Sequence, residues 1–175
     1  MYQVGDIIIY SCEGACRVES IEKLDVSGID HEKLYYNLSP VYHMGNIFVP
    51  LDTKMFMRPV IKPEDARNLI NLIPTIKVNL VVSMSRRSLE ELYNDHIQTH
   101  DCTDLIRVLK IVHVKGIAAA KDRKKLGAID ERFRKKAEDL LFGELALVLS
   151  MSKDDVKSYV VNKIQETGII ETAAV

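Results

Sequence analysis

Tryptophan does not occur in this 175-residue chain, and the aromatic residues together make up only 6% of it. A core here has to be built mainly from aliphatic side chains, with few large rings to stack. Cysteine is nearly as scarce. Cys12, Cys16 and Cys102 cannot all pair within one chain, so no disulfide framework is expected and all three read as thiols. No apolar run approaches the roughly 20 residues that span a bilayer, and Met1-Tyr2-Gln3 leads straight into a strand pattern rather than a basic and then apolar signal segment. A cytoplasmic location with no membrane partner is the expectation.

Recognisable catalytic motifs are missing too. There is no Walker A loop, no Gly-x-Gly-x-x-Gly fingerprint and no serine in a Gly-x-Ser-x-Gly elbow, so neither nucleotide phosphate nor an acyl group has a visible cradle. Cys12 and Cys16, with His31 and His43, are of the type that binds zinc, but the Cys-x3-Cys pair has no second closely spaced ligand pair to complete a tetrahedron. The chain reads as non-enzymatic, with no metal and no cofactor. A metal-dependent enzyme on these residues is the weakest of the alternatives.

What is present is an ordinary globular composition, 47% hydrophobic and 28% charged, arranged in two contrasting stretches. Net charge is only −1, yet it is unevenly spread. Residues 1–62 carry six basic and eight acidic side chains, whereas 121–136 carry eight basic and three acidic ones. A local surface able to hold phosphate is therefore compatible with a neutral molecule.

The first third has the spacing of short strands. Gly5-Asp6 marks a turn before Ile7-Ile8-Ile9-Tyr10, Glu13-Gly14 another before Ala15 to Glu22, and Ser27-Gly28 a third before Leu34 to Leu38. Met44-Gly45-Asn46 precedes Ile47-Phe48-Val49-Pro50, whose proline ends a central strand or sits on an edge. This pattern predicts a small antiparallel barrel over 1–60. An edge strand there has unpaired N–H and C=O groups that can accept a partner's strand.

From Pro63 the period becomes helical, giving a compact five-helix domain over 63–175 and an α+β chain overall. Pro63-Glu64-Asp65 opens the first helix and Pro74 stops it. A second starts near Ser85 or Ser88, where Ser88-Leu89-Glu90-Glu91 fits a capping box, and fades by His100. A third runs from about Thr103 through Leu105, Val108, Leu109 and Val112. The fourth has one apolar stripe, Phe133, Ala137, Leu140, Leu141, Leu145 and Val148, with Arg132, Lys135 and Lys136 on another side. Ser152 caps a fifth that ends at Gly168.

Val4 to Tyr10, the Gly14 turn, Arg17-Val18-Glu19-Ser20-Ile21-Glu22 and Val49-Pro50 resemble the polymerase-interacting domain of the CarD/CdnL family of bacterial transcription regulators, a domain shared with transcription-repair coupling factors. Ser85-Arg86-Arg87 opening one helix, and Ala137 through Gly143-Glu144-Leu145-Ala146-Leu147 closing another, resemble that family's helical domain. The resemblance implies a tudor-like (SH3-like) barrel that docks an edge strand on the RNA polymerase β subunit. It also implies a helical domain against promoter DNA just upstream of the bubble, acting on open-complex stability without reading an operator. Such a protein would be nucleoid-associated through polymerase. Carried over by position, Ile47, Phe48, Val49 and Pro50 form the polymerase-facing edge, joined by Leu24. Leu24 and Phe48 stand where better-known members present arginines. Arg86 and Arg87 match basic residues near the DNA backbone, and Met84 stands where the family commonly has a tryptophan wedge. With that resemblance, Lys124, Lys125, Arg132, Lys135 and Lys136 become backbone contacts.

The same residues also have plainer readings. Arg86 and Arg87 are solvated first-turn residues in one of them, though basic groups there oppose the helix dipole unless an anion compensates. The basic stretch is equally a salt-bridged helix pair, and Phe48 and Met84 are equally core residues. An adaptor that binds polymerase without touching DNA is the alternative function. A monomer is expected, although an exposed edge and a linker also permit domain exchange between chains.

Overall fold

The computed structural model describes residues 1–25, 28, 30–78 and 84–166. The chain divides into two compact units, Met1–Ile61 and Lys62–Val175.

The N-terminal unit is a five-stranded antiparallel sheet in the order β4-β3-β2-β1-β5, with β1 at Ile7–Tyr10, β2 at Gly14–Lys23, β3 at Leu34–Pro40, β4 at Ile47–Pro50 and β5 at Met57–Pro59. A tight turn joins β1 to β2 and needs Gly14 at φ 80°, where a side chain would strain the backbone. Alternation then builds the core: Ile8, Tyr10, Cys16, Val18, Tyr36, Leu38 and Val49 cluster on one face. A bulge between Val18 and Ser20 inserts one residue and resets the alternation, so that Ile21 joins the core side after Val18.

The expected closed barrel is not formed: the sheet curls so that Ile47 of β4 and Met57 of β5 pack on one core, but β4 and β5 are edges, unpaired with each other among the described residues. Both strands are short and both end in proline, which supplies no N–H for closure. The architecture remains tudor-like. Strand β5 has no counterpart in the sequence reading, because three residues ending in Pro59 carry no alternation; pairing with Ile8, Ile9 and Tyr10 of β1 creates it.

The second unit contains α1 (Pro63–Leu72), α2 (Arg86–Gln98), α3 (Cys102–Lys121), α4 (Ala128–Leu149) and α5 (Lys153–Gln165). Helix α4 packs against the other four. Its apolar surface is wider than the predicted stripe, since Leu141 to Ala146 are buried consecutively, Glu144 included. Over that stretch the helix is surrounded and has no polar face to keep, whereas its first half exposes Arg132 and Lys135. Ser85, not Ser88, is the N-cap of α2: its Oγ accepts from the Ser88 N–H at 3.1 Å, which makes Ser88 the third helical residue. Asp101 caps α3 and Ser152 caps α5 in the same manner. The expected end of α5 at Gly168 and the turn residue Ser27 lie outside the described residues.

A buried lysine ties α3 to the end of α1. Lys110 is 1% exposed, and its Nζ donates to the carbonyls of Ile73 and Ile76 just after α1, the Ile73 carbonyl also accepting from the Ile76 N–H. Burial lowers its pKa, because the ammonium has been taken out of water without a carboxylate to offset it.

Candidate functional site

In the N-terminal unit, β4 pairs with β3 on one side only, Phe48 lying across from Asn37 and Val49 across from Tyr36. The two-residue period turns Val49 into the core and Phe48 out, where it is 47% exposed. Ile47 is half-buried against the core and Pro50 is half-buried at the strand end. Leu24, half-buried, follows β2 at the sheet end that also holds Pro50, because Lys23 pairs with Leu34 and Tyr35 pairs with Pro50. The fold thus gathers all five predicted polymerase-facing residues along one edge and its end. Lys33 and Asp52 close that end with a 2.7 Å hydrogen bond, which raises the lysine pKa and lowers that of the carboxylate.

Asn37 was not singled out from sequence. Its Oδ1 is the buried side-chain oxygen left without a hydrogen-bond partner among the described residues, and it sits beside the open edge. An unsatisfied buried acceptor costs about 1–3 kcal/mol.

Residues 2–61 match the family model of the CarD-like/TRCF RID domain. The match covers about a third of the chain and coincides with the N-terminal unit. The chain therefore carries an RNA polymerase-interacting domain, and the RID match ends at Ile61, where the first compact unit ends. Cys16 lies in the RID core, where burial and then the nearby Glu13 carboxylate push its thiol up to about 11, far from the thiolate a metal needs. Among the described residues no three His, Cys, Asp or Glu side chains converge as metal ligands, and no helix is long and apolar enough to cross a membrane.

Beyond the RID, the helical unit positions the basic residues through a buried node. Asp130, in the first turn of α4, accepts at Oδ1 from Tyr93 of α2 and from Lys115 of α3, each at 2.6 Å. Burial first, and then the hydrogen bond to this carboxylate, raise the Tyr93 pKa. Nearby, Arg132 of α4 pairs with Glu90 of α2 and lies 4.8 Å above the Phe133 ring. Tyr93 opposite Asp130 and Glu90 opposite Arg132 define an antiparallel register. Extended by one further turn, that register would bring the start of α2, with Arg86 and Arg87, toward Lys135 and Lys136.

The seven candidate cations differ in what they already touch. Arg87 pairs with Glu91 at 2.9 Å and Arg132 with Glu90, whereas Arg86, Lys135 and Lys136 make no ion pair among the described residues. Lys124 pairs with Asp122 at 3.2 Å and, with exposed Lys125, belongs to the loop before α4. From Ala128 to Lys135 the α4 axis rises roughly 10 Å, so the loop lysines form a second, separate group. The first turn of α2 has no acidic residue to offset its N–H groups. Met84, just before the Ser85 cap, is half-buried rather than fully exposed, and its spacing to Leu89 is that of a hydrophobic staple.

Glu90, Glu91 and the Tyr93–Asp130–Lys115 node were not identified from sequence as shaping this surface. Charge at three- and four-residue spacing, Arg87 to Glu91, was the only signal available for them.

Proposed function

We propose that this chain is a transcription regulator that docks on the RNA polymerase β subunit through the β4 edge and lays its helical unit on promoter DNA upstream of the bubble, modulating open-complex stability. The observation that carries the reading is the open β4 edge of an RID, with Phe48 turned outward on it. Main-chain groups of a docking strand supply affinity, and Phe48 supplies apolar contact where other members use charge. The unpaired oxygen of Asn37 offers an acceptor to a donor arriving at the same edge after a side-chain rotation.

For DNA, the support is that Arg86, Lys135 and Lys136 make no ion pair among the described residues and that the α2 start carries no carboxylate in its first turn. Contacts of this kind go to phosphates, so affinity for free duplex is weak, salt-sensitive and tolerant of sequence. Tethering through the RID raises the effective concentration of DNA. Open-complex stability changes only if the melted and closed promoters are contacted differently.

The test is the lifetime of open complexes formed with the cognate polymerase after a competitor is added, with wild-type protein and with Arg86→Glu combined with Lys135→Glu and Lys136→Glu. Loss of the effect, with polymerase binding and thermal stability retained, is the expected result. An unchanged lifetime effect supports the second reading instead, a polymerase adaptor without DNA contact. That reading draws on the Arg87–Glu91 and Arg132–Glu90 pairs, which already neutralise two of the candidate cations.

A further inference from the structure

Helices α3, α4 and α5 enclose a groove of about 420 Å³, within the size range of small-molecule sites. Its walls are mainly aliphatic, with Ile117, Val161 and Phe142 among them, and Ile117 keeps 47% of its surface exposed there. Gly116 lines the same space. Glycine inside a helix costs about 1 kcal/mol relative to alanine, and neither of the usual reasons for it applies here: its φ is not positive, and a Cβ built on it meets nothing within 4 Å. What the missing side chain does is leave the groove open.

The rim is charged and unequal, with Arg134 and Lys157 against Glu138. Arg134 is occupied, donating to Glu131 at 2.6 Å and to Glu138 at 2.8 Å. Lys157 shares Glu138 at 3.2 Å, is 46% exposed at the mouth, and has further ammonium donors to give. An apolar trough with one excess cation at its solvent end complements a molecule with an aliphatic body and a single negative head.

We propose that this groove binds a free aliphatic monocarboxylate, its chain against Gly116, Ile117 and Phe142 and its carboxylate on Lys157. The proposal is independent of the polymerase and DNA reading.

The probe is sodium decanoate, below its micellar concentration, titrated into the isotopically labelled full-length protein and followed by amide ¹H–¹⁵N correlation spectra. Saturable shifts at Gly116 and Ile117 are expected. Gly116→Leu fills the groove and weakens decanoate at least tenfold, while Lys157→Ala weakens decanoate several-fold and leaves decanol unaffected. Since Lys157 lies at the exposed mouth, its variant still decides the matter if Gly116→Leu does not fold. Absence of saturable shifts at these amides overturns the proposal, as does wild-type protein binding decanol as tightly as decanoate.

Discussion

Replacing Tyr93 by phenylalanine tests the node that sets the position of α2 against α4. The ring is fully buried, so phenylalanine keeps its packing against Phe133, 5.1 Å away between centroids, and only the hydroxyl is lost. That hydroxyl donates at 2.6 Å to a carboxylate that is itself buried, and hydrogen bonds to charged groups contribute about 1.5–3 kcal/mol. Lys115 still reaches the same oxygen, so Asp130 keeps a partner and the loss falls near the lower end, about 1.5–2 kcal/mol. In a helical unit of this size that lowers Tm by roughly 5–10 °C, read by circular dichroism at 222 nm. Because both donors share Oδ1, a double-mutant cycle of Tyr93→Phe with Lys115→Met is expected to be non-additive. There is also a pH signature. The folded-state pKa of Tyr93 is raised, so its contribution is intact below the unfolded value of about 10 and is lost as pH rises above it. Tyr2, Tyr10 and Tyr42 are shifted the same way, so the signature is the difference between wild type and variant, which keeps its full size below about pH 10 and narrows above it. A Tyr93→Phe protein within about 0.5 kcal/mol of wild type, with the same alkaline limb, would refute the reasoning.

Lys110→Met is expected to destabilise by about 1–3 kcal/mol in urea denaturation, because the Ile76 carbonyl loses its donor and the Ile73 carbonyl keeps only the Ile76 N–H. The folded pKa of Lys110 is lowered, so its stabilising share is greatest above the unfolded value and falls as pH drops through the folded one; the variant loses that slope. Gly127→Ala, at the N-cap of α4 where alanine is already the poorer residue, puts a Cβ 2.9 Å from Asp130 Oδ2, on a side chain held by two donors, and should lower the Tm; an unchanged or higher Tm would mean that Asp130 can move. Glu90→Gln releases Arg132 and is expected to tighten binding to duplex DNA and steepen its salt dependence, measured by fluorescence anisotropy over a salt series.

The sequence made the strands visible where alternation was clean. Ile7 to Tyr10 and Ile47 to Pro50 were readable because each is a short apolar run following a turn signal, and β4 was readable as an edge because Pro50 ends it. Strand β5 was not, since its identity comes from pairing with β1. Nor was the failure of the barrel to close, which depends on two short proline-ended edges. Helix caps were ambiguous between Ser85 and Ser88 because both are serines at the required distance from the apolar run; the backbone geometry decides it. The candidate cations were found as a run of charge, but their sorting into paired and unpaired groups depends on Glu91, which pairs with Arg87 within α2, and on Glu90, which lies about 40 residues from Arg132 in the chain and meets it only across the α2–α4 contact. Asp130 is similar: an ordinary first-turn carboxylate by sequence, it becomes a buried node only through Tyr93 and Lys115.

The most direct test of the central claim is binding of the full-length protein to the isolated β-lobe of the cognate RNA polymerase, by isothermal titration calorimetry, with Phe48→Arg as the comparison. The account predicts saturable binding with a variant that stays folded and loses at least tenfold in affinity, since Phe48 is the outward side chain of the open edge. No binding by folded wild-type protein, or equal binding by the variant, would contradict docking through β4.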